Sequence, residues 1–111
     1  MEPDGKNTAP AITLASLKLT KDNDDSVILV LSADHLIEDT KKFHKSISIA
    51  LDLAKTGKLV TFGVNPTSPD TGYGYIEVES NNITSYSKIK SFKEKPDNHT
   101  AQAYLDSGNY L

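Results

Sequence analysis

The run VILVLSADHLI, residues 27–37, constrains the fold of this chain more than any other segment. From Val27 to Ala33 apolar residues follow one another with almost no polar alternation. A strand with one solvated face would alternate, so the run predicts a strand covered on both faces, as in parallel sheets. It is far too short to span a bilayer. It ends on a carboxylate, Asp34. Open α/β sheets bind ligands at the carboxyl ends of their strands. A lone aspartate there can hold Mg²⁺, which keeps several waters and needs few protein ligands. It can equally cap the following turn. The local pattern leaves both readings open.

The segments around this run predict an α/β chain. Thr8 or Asn7 can cap a helix over Ala9 to Leu19, with Pro10 tolerated in its first turn. Asp39 or Thr40 can cap a second helix, in which Phe43, Ile47, Leu51 and Ala54 recur at helical spacing, and Gly57 stops it. Lys58 to Val64 reads as another strand. Strand, helix and strand form a βαβ unit, so the two strands are expected to be parallel with a right-handed crossover. A loop rich in proline and glycine follows, NPTSPDTGYG. Tyr75 to Val78 and Lys88 to Lys93 read as strands joined by a polar turn at Ser80 to Asn82. A short helix is expected to start at Asn98 or Thr100 and to end near Gly108.

Composition removes several classes of function. The net charge of −3 leaves no electrostatic footprint for nucleic acid. All 12 basic residues are lysine, so phosphate contacts must use lysine point charges or backbone N–H groups rather than a guanidinium fork. The absence of cysteine excludes disulfides, thiolate metal sites and thiol nucleophiles. Neither a membrane partner nor a signal peptide is indicated, since MEPDGKNTAP lacks the charged-then-apolar pattern. The expected setting is the cytoplasm.

Four places carry candidate chemistry besides Asp34. Glu94 and Lys95 precede Pro96; successive strand residues point to opposite faces, so the two share a site only if the strand ends there. Without further context they read as a solvent-exposed ion pair. In Thr71-Gly72-Tyr73-Gly74-Tyr75 the glycines permit close backbone approach to a ligand, although such loops are mostly turns. Glu2-Pro3-Asp4-Gly5 offers a carboxylate that can accept both Watson–Crick-edge donors of guanine, yet four residues alone read as a helix-entry loop. His35 lacks a second ligand at metal-binding spacing and is expected to pack structurally. His44 and His99 are expected to be solvated.

Taken in order, EPDGKNTAPAI, VLSADHLI, FGVNPTSPDTGYGYI, FKEKPD and YLDSGNYL resemble the bacterial mannose-1-phosphate guanylyltransferases. That branch belongs to the sugar nucleotidyltransferases, and the blocks cover nearly the whole chain. The resemblance implies a Rossmann-like α/β fold with a mixed, mostly parallel sheet flanked by helices. It implies transfer of GMP from GTP to mannose 1-phosphate, giving GDP-mannose and pyrophosphate, with Mg²⁺ or another divalent cation. Carried over position by position, Asp34 is the metal-binding aspartate. Glu2, Pro3 and Gly5 lie against the base, Gly74 lets its backbone approach the sugar, and Glu94 accepts from sugar hydroxyls. Lys95 contacts the sugar phosphate, and Asn109 reaches the mannose ring.

Lys6 stands where the family usually has arginine, which removes a bidentate contact, and Ser32 replaces the usual proline before ADH. No glycine-rich GGxGxRLWP loop precedes Glu2, and the continuation WNSG does not follow Leu111. Residues 1–111 are therefore expected to be the central part of a nucleotidyltransferase domain, lacking its N-terminal glycine-rich loop and its C-terminal part, and inactive alone. Unpaired sheet edges would favour self-association, as a homo-oligomer. The competing readings are a nucleotidyltransferase for another sugar 1-phosphate or base, and a non-catalytic module that binds nucleotide sugars.

Overall fold

A computed structural model describes residues 8–21, 25–79 and 85–111 of the chain. Glu2, Pro3, Gly5, the Asn7 cap and the turn at Ser80 to Asn82 lie outside the described residues. The order of elements is α1 (Thr8–Lys21), α2 (Thr40–Ala54), β1 (Gly74–Val78), β2 (Ile89–Glu94) and α3 (Asn98–Ser107).

Helix α1 carries Pro10 in its first turn, where a missing N–H costs nothing. Its hydroxyls bond back along the helix: Thr13 donates to the Ala9 carbonyl at 2.8 Å and Ser16 to that of Ile12 at 2.9 Å. Helix α2 starts at Asp39, whose carboxylate accepts from the Lys42 N–H at 2.9 Å. It ends at Ala54 with Lys55 as its C-cap, and the following turn closes at Gly57, which takes φ +80° while its N–H donates to the Ala54 carbonyl. Of the expected apolar stripe, Phe43, Ile47 and Ala54 are half-buried while Leu51 is exposed, and the Phe43 ring meets Phe62 at 5.7 Å between centroids.

The β structure corrects the sequence reading. Val27 to Ala33 and Lys58 to Val64 flank α2 as expected, but neither enters a hydrogen-bonded ladder among the described residues. The sheet they contain is β1 paired antiparallel with β2. The expected mostly parallel sheet is thus not formed here, although helices and a sheet together keep the chain in the α/β class. The physical reason is that an apolar run becomes a strand only when a neighbour takes its backbone donors and acceptors. Without one, Leu29, Val30 and Leu31 remain about half exposed.

β1 is the centre of what does pair. Glu94 lies opposite Gly74 and Phe92 opposite Ile76 on one edge, with a bulge at Glu77/Val78. On the other edge Ile76 and Leu111 exchange both backbone hydrogen bonds, at 2.8 and 3.0 Å, and the Val78 N–H donates to the Asn109 carbonyl. Flanked on both edges, Tyr75, Ile76 and Val78 are buried. Helix α3 is capped by Asp97, whose carboxylate accepts from the Thr100 N–H at 2.7 Å, and closes on Gly108 at φ +65°. It buries Ala101 fully and brings Tyr104 between Tyr75 and Tyr110, with ring centroids 5.5 and 4.0 Å away.

Candidate functional site

The alternation of a strand should send Glu94 and Lys95 to opposite faces. β2 ends at Glu94, and Lys95 then adopts φ +40°. Its backbone N–H donates to the Tyr73 carbonyl at 3.2 Å. The turn rotates the lysine back beside the glutamate, so that Lys95 Nζ lies 3.7 Å from Glu94 Oε1. Both side chains are 63% exposed, so the ion pair itself contributes little to stability. A non-glycine residue at positive φ costs on the order of 1–3 kcal/mol and persists only where its surroundings hold it. The result is a hydrogen-bond acceptor and a cation presented together at the open end of β2.

Gly74 faces this pair across the ladder. A Cβ added there would collide with the Phe92 ring. A side chain there would displace that ring, and the glycine also lines a cleft of about 410 Å³ together with His35, Pro66, Asp70 and Tyr73. Tyr73, 64% exposed, connects the cleft to the Lys95 turn through its carbonyl.

Asp34 lies in a tight turn after the apolar run and is exposed. His35 is exposed at the cleft, which corrects the expectation that it packs structurally. His44 and His99 are exposed on α2 and α3, as expected. Among the described residues no three His, Cys, Asp or Glu side chains gather as a metal cage. An open single carboxylate suits a cation that keeps its waters and takes its other ligands from phosphates, so Asp34 fits Mg²⁺ in that limited sense. Asn109 lies at the opposite end of β1 from Glu94 and Lys95: its carbonyl pairs with Val78, roughly 13 Å along the strand from Gly74. The structure thus brings Gly74, Glu94 and Lys95 together and leaves Asn109 apart.

Two residues that the sequence reading missed shape the cleft. The buried Tyr75 hydroxyl accepts from the Asp70 N–H and donates to the Asp70 carbonyl, each at 3.0 Å. The Asp70 carboxylate accepts from the Gly72 N–H at 2.7 Å. A tyrosine on the buried face of a strand must find a partner for its hydroxyl, and the nearby turn sequence SPDTG was the available signal. Behind the site, Glu77 accepts from Lys90 and from the Ser91 hydroxyl. Those hydrogen bonds, that of Lys90 foremost, hold its carboxyl below the usual range, while its carboxylate raises the Lys90 ammonium. Burial, followed by the nearby Glu77 charge, pushes the Tyr110 hydroxyl up.

A strand-end acceptor and a cation thus stand beside Gly74, and Gly74 borders a cleft walled by the loop from Asn65 to Asp70. The nucleotidyl transferase family matches residues 1–111, and the chain belongs to that family. It is 49% identical to a mannose-1-phosphate guanylyltransferase of Escherichia coli over 114 aligned positions, an alignment that covers 99% of this chain and 24% of that protein. It is 48% identical to the xanthan biosynthesis protein XanB of Xanthomonas campestris pv. campestris, again over 99% of this chain but 23% of the relative. The chain thus spans about a quarter of the length of these curated relatives. The crystal structure of a mannose-1-phosphate geranyltransferase from Thermus thermophilus superposes with a TM-score of 0.87 at 32% identity, covering 99% of this chain and 32% of that one.

Proposed function

We propose that the protein carrying this chain transfers GMP from GTP to mannose 1-phosphate. A phosphate oxygen of the sugar attacks the α-phosphorus of GTP. The bond to the β-phosphate oxygen breaks in line with it, GDP-mannose forms and pyrophosphate leaves. No covalent enzyme intermediate is involved, so the protein works by positioning and by offsetting charge.

The observation that carries this reading is the pairing of Glu94 with Lys95 beside Gly74. A sugar 1-phosphate joins hydroxyl donors to a dianion within a few ångströms. Glu94 accepts from the hydroxyls, Lys95 offsets the phosphate charge, and the backbone at Gly74 admits the ring. Asp34 would hold Mg²⁺ or another divalent cation, whose chemistry is to neutralise charge on the nucleotide phosphates. Glu2, Pro3 and Gly5 lie against the guanine, whereas Asn109, at the far end of β1, is left out of the sugar contacts. The small, water-soluble phosphates of this reaction suit a cytoplasmic setting. The sequence relatives of the same class support the choice of sugar and base.

Calorimetric titration of the chain with GDP-mannose and Mg²⁺ tests the reading, with UDP-glucose as control. Selective binding of GDP-mannose that Lys95→Ala weakens at least about tenfold is expected, the scale of one lost charge-assisted hydrogen bond. Equal affinity for UDP-glucose would overturn the assignment of base and sugar.

A further inference from the structure

Lys95 is held in its left-handed turn by one backbone hydrogen bond, to the Tyr73 carbonyl. Tyr73 is exposed and closes a loop that has little burial of its own. Something must fix that carbonyl. The loop is pinned at Asp70, whose carbonyl accepts from the Tyr75 hydroxyl and whose N–H is shared between that hydroxyl and the Ser68 carbonyl. From Asp70 the carboxylate reaches forward to the Gly72 N–H, shaping the turn that delivers Tyr73. Tyr75 itself cannot move: it is 3% exposed, its ring rests on Tyr104, and its strand is paired on both edges.

We infer that Tyr75 is a positioning residue, whose hydroxyl acts through the Asp70–Tyr73 turn to set the conformation of Lys95. The chain of contacts runs from the Tyr75 hydroxyl to the Asp70 backbone, from the Asp70 carboxylate to Gly72, and from the Tyr73 carbonyl to the Lys95 N–H. Tyr75 does not touch the ligand. It supplies the fixed point against which the strained residue is held, and the presentation of a lysine for phosphate depends on a phenol in the core. The link from this lysine to sugar-phosphate binding rests on the function proposed above; the mechanical link from Tyr75 to Lys95 does not.

Tyr75→Phe keeps the ring and removes only the hydroxyl. Amide hydrogen exchange of the 111-residue chain is expected to accelerate roughly tenfold at Gly72 and Lys95, the scale of one lost hydrogen bond. Exchange at Ile76 and Leu111, which pair with each other on the same strand, is expected to stay unchanged and reports that the fold is intact. Asp70→Ala should speed exchange at Gly72 and Lys95 in the same way, whereas Asp70→Asn, which keeps the acceptor oxygen, should not. Unchanged exchange at Lys95 in Tyr75→Phe overturns the inference, as does uniform acceleration that includes Ile76 and Leu111. Binding of GDP-mannose is then measured on the same samples. Normal amide behaviour of the wild type without GDP-mannose binding would count against the proposed function alone, leaving the exchange result to decide the role of Tyr75.

Discussion

Lys95 shows how a single backbone angle brings two neighbouring side chains to the same place. With φ +40° it sits where a side chain is disfavoured, and the Cβ is what makes the conformation costly. Lys95→Gly is therefore expected to leave the melting temperature unchanged or slightly raised while abolishing the cation. Thermal unfolding and GDP-mannose titration on the same variant check both halves, and a marked fall in melting temperature would show that the side chain stabilises the turn. Glu77 poses a different question, of charge. Its carboxyl titrates below the ordinary value of 4.5 because Lys90 and Ser91 bond its ionised form. The stability this contributes is fully present above that ordinary value and is lost as pH falls through the lower, folded-state value. Lys90 titrates above its ordinary 10.5, so its share is present below that and is lost as pH rises beyond it. In Glu77→Gln the fall of stability on the acid side is expected to be shallower than in the wild type, as followed by denaturant unfolding at a series of pH values.

Among the elements, β1 and α3 are organised by glycines whose roles differ. Gly108 closes α3 at φ +65° with open space around its missing Cβ, so Gly108→Ala is expected to cost about 1 kcal/mol through backbone conformation alone. Gly74 has an ordinary φ but no room, because the Phe92 ring occupies the space of a side chain. Gly74→Ala should therefore destabilise in the wild type and much less in a Phe92→Ala background. A double-mutant cycle by thermal unfolding measures that coupling, and additive losses would mean that the ring does not cause the penalty. The helices were legible from local signals. Asp39, Gly57 and Gly108 mark helix ends where the sequence places them, since a cap needs only neighbours within a turn. Val27 to Ala33 was legible as apolar and extended, but its pairing was not, because a ladder depends on which segment comes alongside.

At the scale of the whole molecule the apolar run is the main liability. Val27 to Leu31 and Leu59 are exposed, with backbone groups free of any ladder among the described residues. Such edges recruit strands from other copies. The mass of the isolated chain by light scattering is expected to rise with concentration, and Val30→Lys should lower that tendency. A concentration-independent monomer mass would count against it. No helix among the described residues is long and apolar enough to cross a membrane. The candidate site draws on two segments far apart in the chain, the loop before β1 and the end of β2, brought together by the pairing of the two strands.

What the sequence by itself determined were the local and chemical facts: three helices, the Asp39 cap and the Gly108 stop, the two strands that pair, the absence of thiol and guanidinium groups from this chain, and the motifs that mark a nucleotidyl transferase. These rest on interactions between near neighbours or on the mere presence of a residue type. Only the tertiary structure decided that Glu94 and Lys95 stand side by side, that Gly74 answers to Phe92, that Asn109 stands apart, and that the Tyr75 hydroxyl bonds the loop behind Lys95. Each of those depends on a contact across strands or on a backbone angle set by a distant partner. A linear pattern does not encode them until the chain has folded back on itself.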